Sequence, residues 1–338
     1  IFEKNLAKFC NVKYAIALTN GGAGLELALR SLNLTQGDEV ICPAVNFKAA
    51  HMAILDRGAK VIFCDINPIT LNIDCKDLEN KISSRTRAII PVHLTGLPAP
   101  IDEINQIAKK YKNLKHGSPK IIYDGCRALG AEYKGRPIGK DGWCTIFSFH
   151  SQKIITTMGE GGALVTNDKK LSDKVRSMSS YGGEFDWGMN YRMSKIQSVF
   201  GNIQLKRISK LIKKRRKIAI NRNKRLKEIS SITLPFESAD CKHAFYVYPI
   251  LVNENMKGKI RDKILNHLKD KFGIVCSITN KPVYSRWKYI KKKCGNPKLP
   301  VSDNIEKRLL CPPIHPNFNN EQEEYIINAI TETVKNFE

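Results

Sequence analysis

The sequence has no run of about 18 consecutive apolar residues, so no membrane-spanning helix is expected. The opening stretch, Ile1 to Cys10, also lacks the long apolar core of a signal peptide. Both absences point to a soluble, cytoplasmic protein. Because the first residue, Ile1, already sits inside a helical pattern, the natural N-terminus is expected to lie further upstream. There is no Cys-x-x-Cys pair either. The ten cysteines are scattered from Cys10 to Cys311, mostly among apolar neighbours, which fits free thiols in a reducing compartment and gives no metal-ligand spacing. Internal repeats and low-complexity tracts are missing, and 42% hydrophobic with 26% charged residues is an ordinary globular mix. Disorder, collagen and coiled coil are therefore excluded for the chain as a whole.

Acidic residues are in short supply: 32 face 56 basic ones, a net charge of +24. Such an excess invites a nucleic-acid partner. Its densest run, from Lys206 to Lys227, argues otherwise, since Ile208, Leu211, Ile212, Ile218 and Ile220 recur in it at helical spacing. That pattern is an amphipathic helix with a solvated basic face. Neither nucleic-acid binding nor membrane insertion is expected, and the positive field suits small anionic substrates equally well.

At 338 residues the chain holds about two domains' worth of sequence. From Val12 to Val165 short β-rich runs alternate with helical patterns, the signature of parallel βαβ units. Strands are predicted at Tyr14–Leu18, Glu39–Ile41, Lys60–Cys64, Thr86–Val92, Lys120–Tyr123, Thr145–Phe149 and Gly162–Thr166. Helices fit at Gly24–Leu32, Ala49–Asp56, Asp77–Ile82, Asp102–Tyr111 and Leu171–Ser179. Beyond Met193 a long basic helix runs to about Ser230. A strand at Ala244–Val252, a helix at Ile260–Phe272, a strand near Gly273–Ser277, an irregular Lys/Tyr/Trp-rich segment and a last helix at Glu321–Phe337 follow. The expectation is an α/β protein: a large domain, residues 1–230, with a mainly parallel seven-stranded sheet sandwiched by helices, and a small α+β domain, residues 231–338.

The richest segment for chemistry is Thr145-Ile-Phe-Ser-Phe-His-Ser-Gln-Lys153, closed by Gly159-Glu-Gly-Gly162. Lys153 lies just past a hydrophobic strand, where parallel sheets build ligand sites. An amine partly desolvated there is suited to a Schiff base, although most loop lysines are simply solvated. Asp124 ends another buried strand, and an acid there needs a cationic partner unless it merely caps a turn. Pyridoxal phosphate requires such an acid beside its ring nitrogen. Thr19-Asn-Gly-Gly-Ala-Gly24 connects a strand to a helix with small residues, which lets backbone amides approach a phosphate. On its own this turn is a weak signal, because many folds carry one.

In combination these segments resemble the DegT/StrS family of pyridoxal-phosphate-dependent sugar-nucleotide aminotransferases, of fold type I. The resemblance runs in order through Asn20-Gly-Gly-Ala-Gly-Leu, Gly37-Asp-Glu-Val-Ile, Pro43-Ala-Val-Asn-Phe47, Pro91-Val-His-Leu-Thr-Gly96, Asp124-Gly-Cys-Arg-Ala-Leu-Gly130, Ser148 to Lys153, Gly159-Glu-Gly-Gly162, Asn190-Tyr-Arg-Met193 and Pro312-Pro-Ile-His-Pro316. It implies that Lys153 carries the cofactor and shuttles the proton. It makes Asp124 the partner of the pyridinium nitrogen, and gives Ser148 with the amides of Gly22 and Ala23 the cofactor phosphate. Phe47 would stack on the ring, Arg127 would meet its hydroxyl or a substrate anion, and Asn190 would reach the phosphate in the neighbouring subunit. A homodimer with shared sites is implied, acting on L-glutamate and a nucleotide-linked keto sugar.

The chain departs from that pattern at Gly22, where Thr is common, and at Arg127, where Gln or His is frequent. Asn46 and Lys48 replace Thr and an apolar residue beside Phe47, which leaves the substrate class open. His93, His150 and Arg192 have packing, hydrogen-bonding or ion-pairing roles as ready alternatives to catalysis. Three rivals are a dehydratase using the same cofactor, whose family members carry His in place of the lysine, a cofactor-binding regulator or nucleic-acid-binding protein without turnover, and a non-catalytic structural paralogue, for which intact Asp124, Ser148 and Lys153 are hard to explain.

Overall fold

The computed structural model describes residues 1–183, 187–279 and 281–338. Seven strands form the main sheet: β1 (Tyr14–Leu18), β2 (Glu39–Pro43), β3 (Lys60–Cys64), β4 (Thr86–Ile89), β5 (Lys120–Asp124), β6 (Cys144–Ser148) and β7 (Gly162–Thr166). Their spatial order is β1-β7-β6-β5-β4-β2-β3. The run from β6 through β3 is parallel, while β7 lies antiparallel to both β1 and β6. Thus β1 points the same way as β6, and six strands deliver their carboxyl ends to one edge. The reversal at β7 follows from the short connection after β6, which carries Lys153 and has no crossover helix.

Both sheet faces are covered, and successive strand residues alternate between the two layers. Ile121, Tyr123 and Phe147 face helices α1 (Phe2–Phe9), α5 (Ile101–Lys110) and the first half of α7 (Lys195–Leu226). Ile122 and Ile146 face α2 (Gly21–Ser31), α3 (Ala49–Asp56) and α6 (Lys169–Met178). Helix α4 (Cys75–Lys81) joins the layer of α1 and α5 through Cys75 and Leu78. Three helices begin one to three residues before their apolar periodicity does. Asn20, Asp74 and Asp168 each accept a backbone N–H from the first turn, so the cap rather than the first buried residue sets the start.

The helix α7 is 32 residues long and opens on a capping box between Ser194 and Gln197. Its first half packs in the main core through Leu205, Ile208 and Ile212, and its second half enters a smaller core through Ile218, Ala219 and Leu226. There it meets helices α8 (Lys259–Phe272) and, at the end of the chain, Asn320–Asn336, around a three-stranded sheet made of Ile232–Thr233, Ile250–Val252 and Leu309–Leu310.

The second half departs from the sequence pattern in three places. Of the expected strand Ala244–Val252 only Ile250–Val252 forms: Phe245 adopts a left-handed φ of 46°, and Ala244 and Val247 donate to Gly96 and Thr95 instead of to a sheet. The strand near Gly273–Ser277 reduces to one bridge, Ser277 to Cys311. The irregular segment instead contains three short helices, Val283–Arg286, Lys288–Cys294 and Pro300–Arg308, and Val283, Tyr284 and Ile290 pack on the main sheet's layer.

Arg222 is fully buried in the smaller core and binds Glu323 through two 2.8 Å hydrogen bonds, tying α7 to the last helix. Removing one member of a buried pair strands the other charge. Glu323→Ala is therefore expected to lose about 3–5 kcal/mol of stability, read as a lowered denaturation midpoint; a midpoint equal to the parent's would show the pair to be dispensable.

Candidate active site

The carboxyl ends of β1, β2, β5 and β6 meet at one edge, and a cavity of about 520 Å³ opens there. Asn20 ends the turn after β1, with its Oδ1 accepting from Ala23 N at 2.9 Å. This places Gly21 directly against the ends of β5 and β6: a Cβ added to Gly21 would stand 2.8 Å from Cys126 Sγ and 3.2 Å from Ser148 Cβ. Gly162, at the start of β7, is pressed as closely, since a Cβ there would meet the Asn20 backbone at 2.2 Å. Bare backbone is required at both positions. Ala23 has its N–H engaged by the cap, so the open amides at the start of α2 are those of Gly21 and Gly22, which have no partner among the described residues.

Asp124 closes β5 and is 5% exposed. Its Oδ1 accepts from Cys126 N at 3.1 Å and its Oδ2 from Asn46 Nδ2 at 3.3 Å. Among the described residues no Lys, Arg or His pairs with it. A buried carboxylate with only two neutral donors is incompletely compensated. Asn46, itself 3% exposed, is held in turn by Phe47 N, which donates to its Oδ1 at 2.6 Å. The Phe47 ring stands in the cavity wall with 54% of its surface exposed, a large aromatic face without a partner.

Lys153 sits on the connection between β6 and β7, which is braced by its own hydrogen bonds: Ser151 N to Gly159 O at 2.8 Å, Thr157 N to Phe149 O at 3.0 Å and Lys153 N to His150 O at 2.9 Å. The Lys153 amine lies 5.0 Å from the centre of the Tyr246 ring, and the Arg127 guanidinium lies 5.6 Å from the same ring. Arg127 is 9% exposed, and its Nη1 has no hydrogen-bond partner among the described residues. A buried guanidinium N–H of this kind calls for an anion.

Six of the residues singled out by sequence line this cavity together: Gly22, Phe47, Asp124, Arg127, Ser148 and Lys153. Asn190 does not. It is exposed outside the cavity, with its Oδ1 accepting from Arg192 Nε at 3.2 Å. Tyr246 and Cys126 are wall residues that the sequence did not flag, and Asn46 was noted only as a departure from a pattern. Nothing in the sequence marks Tyr246, because its run has the composition of a strand. His150 lines the wall with its Nδ1 accepting from Gln152 N, and His93 is buried away from the cavity, stacked on Tyr123 at 5.0 Å.

The sequence profile of the DegT/DnrJ/EryC1/StrS aminotransferase family matches residues 1–331, and the chain belongs to that family. Enzymes of the family are in general pyridoxal-phosphate-dependent. The chain is 34% identical to GDP-perosamine synthase of Escherichia coli O157:H7, over 98% of this chain and 88% of that protein. It is 31% identical to dTDP-3-amino-3,6-dideoxy-alpha-D-galactopyranose transaminase of Aneurinibacillus thermoaerophilus, over 97% and 88%. Among solved structures, PseC of Helicobacter pylori, an aminotransferase involved in the biosynthesis of pseudoaminic acid, superposes with a TM-score of 0.91 at 29% identity, over 99% of this chain and 90% of that one.

Three buried histidines outside the cavity wall are held neutral by burial. His51, whose Nε2 lies 3.1 Å from Pro43 O, and His93, which accepts from Ala99 N, are both pushed down to about 4; His243, stacked on Phe245, is pushed down to about 3. Each folded value lies below the ordinary 6.5, so the unfolded chain binds more protons as the pH falls from 6.5. Their contribution to stability is complete above that value and shrinks toward pH 4, by up to about 1.4 kcal/mol per pH unit for each histidine. Urea unfolding across this window is expected to show that slope, and an unchanged midpoint from pH 7 to pH 5 would contradict it.

Proposed function

We propose, from this family membership and the chemistry of the cavity, that the chain holds pyridoxal phosphate on Lys153 and moves an amino group from L-glutamate to a keto carbon of a nucleotide-linked sugar, in the cytoplasm, as a homodimer with shared active sites. The observation that carries the reading is Asp124, a buried carboxylate that no cation among the described residues pairs with, on the same cavity as the Lys153 amine. The residues present fit the cofactor. A protonated ring nitrogen would compensate Asp124, the Gly21 and Gly22 amides with the Ser148 hydroxyl form a cradle for a phosphate, and the open Phe47 face suits a flat ring. Arg127 has an N–H free for an anionic oxygen. Ten unpaired cysteines, most of them buried, agree with a reducing cytoplasm.

Pyridoxal phosphate, when bound, supplies an electrophilic carbon and a ring that stabilises negative charge on the substrate carbon. Asp124 keeps the proton on the ring nitrogen, with Asn46 fixing the orientation of its carboxylate. Phe47 sets the plane in which the breaking bond must lie. Lys153 Nζ would be the base, accepting the proton of the donor's α carbon and later returning one. In the second half-reaction the same amine runs the transfer in reverse on the sugar. A lysine at this position speaks against the dehydratase alternative. The relatives act on GDP- and dTDP-linked sugars by name, so kinship leaves the nucleotide open.

Support for the dimer comes from one side of α7. Ile196, Val199 and Ile203, at 70%, 63% and 51% exposure, form an apolar stripe that the chain itself leaves uncovered. It adjoins the cavity, because Gln197 Nε2 donates to the carbonyl of the wall residue Glu160 at 3.0 Å. A second copy covering the stripe would bring its Asn190 toward this site.

Borohydride reduction of the yellow, cofactor-loaded protein is expected to fix the cofactor on the peptide containing Lys153, and Lys153→Ala is expected to lower turnover by at least about 10²–10⁴-fold. Labelling of another lysine would overturn the assignment. Mixing Lys153→Ala with Asn190→Asp protein is expected to restore activity, since each heterodimer then has one site free of both changes. Verified heterodimers with only the parents' averaged activity would remove Asn190 from the partner's site.

A further inference from the structure

The aminotransferase reading makes no use of the chain's largest electrostatic feature. The helix α7 carries twelve lysines and arginines and no aspartate or glutamate. Its arginines are mostly spoken for: Arg215 and Arg222 are buried, and Arg216 and Arg225 pair with Glu237 and Glu324. The lysines are not. Lys206, Lys210, Lys213, Lys217 and Lys224 are exposed, and none has an acidic partner among the described residues. With 3.6 residues per turn, these five and Ile220 fall within about 40° of one direction along about 27 Å of helix. Ile220 stands in the row with 56% of its surface exposed. An open groove of about 680 Å³, lined by Lys213, Lys217, Ile220 and Lys224, runs beside it. The opposite side of the helix is anchored by Ile208, Ile212 and Ile218, so the row is a rigid ridge.

We propose that this ridge docks the enzyme reversibly on an anionic phospholipid surface, with the lysine amines at lipid phosphates and Ile220 entering the headgroup layer. The residue types favour a bilayer over a nucleic acid. Reading or stacking on bases uses arginine forks and aromatic rings. The ridge has no aromatic residue, and of the five arginines on the helix four are paired or buried, with Arg207 alone exposed and without an acidic partner among the described residues. Lysine is a point charge on a flexible apolar stem, which suits a fluid array of phosphates without fixed register. The same stems can lie along apolar surface around Ile220 while their amines reach water and phosphate. The apolar stripe assigned to the dimer ends at Ile203, before the first of these lysines, so docking and dimerisation use successive lengths of one helix.

The test is flotation of the cofactor-loaded protein with vesicles of phosphatidylcholine alone or mixed with phosphatidylglycerol. Recovery with the mixed vesicles at about 0.1 M salt is expected to exceed that with neutral ones at least ten-fold, and to vanish near 0.5 M salt, where charges are screened within a few ångströms. The triple variant Lys210→Glu, Lys213→Glu, Lys217→Glu is expected to stay in solution with parental turnover on soluble substrates. Ile220→Asp, a milder change that keeps the lysines, is expected to reduce recovery several-fold. Equal recovery with both vesicle types would overturn the proposal, as would undiminished binding by the triple variant or by Ile220→Asp. Retention on duplex DNA without recovery on anionic vesicles would also overturn it and reassign the ridge to nucleic acid.

Discussion

A carboxylate taken out of water at the end of a parallel strand needs a positive charge opposite it, and none of the described residues supplies one for Asp124. The strand order makes this unavoidable. Asp124 lies on β5, in the middle of the sheet, with β4 and β6 on either side and the turn into α2 above. Its backbone is fixed to the segment after β4, donating to Pro91 O at 2.8 Å and accepting from His93 N at 3.0 Å, while the next amide, Gly125 N, donates to Ile146 O of β6 at 2.8 Å. It can neither withdraw to solvent nor swing toward a distant cation. Asn46 and the Cys126 amide steady the two oxygens without neutralising them. What remains is a demand for a cationic ring, and the other wall residues fit around that demand.

Close backbone approach is the second constraint. Gly21 and Gly162 let the turn after β1 lie on the ends of β6 and β7 with no side chain between, which keeps the start of α2 against the cavity. The far wall comes from a later part of the chain. Arg215, buried on α7, donates from Nη1 to the carbonyls of Phe245, Tyr246 and Ile314 at 3.1, 3.4 and 3.1 Å. Burial lowers it only to about 10, so it stays charged at neutral pH and holds the Tyr246 loop over Lys153 and Arg127. Helix α7 therefore serves the main core, the smaller core and the roof of the cavity at once.

What the sequence disclosed and what it hid follow from the range of the interactions. The short β-rich runs Lys120–Tyr123 and Thr145–Phe149, and the glycines after Leu18, are local signals, and they placed these strands and the turn after Leu18. The reversed direction of β7 was hidden, because strand polarity depends on pairing partners far away in the chain. Ala244–Val252 has strand composition, yet Thr95 and Gly96 take up its backbone donors, a contact across about 150 residues that no window can reveal. Tyr246 was missed for that reason. Asn46 was visible only as an oddity, since its meaning lies in a hydrogen bond to a residue 78 positions away. The role proposed for Asn190 rests on a second chain, which one sequence can imply but not display.

The most direct test of the account is the protonation state of the cofactor's ring nitrogen, followed by nitrogen NMR on protein loaded with pyridoxal phosphate labelled at that atom. If Asp124 is the buried anion that the site is built around, the nitrogen is protonated at neutral pH and stays so well above the pKa of a free pyridine, whereas in Asp124→Asn it is neutral. A nitrogen with the same shift in both proteins, or one that titrates as in free solution, would contradict the account at its centre.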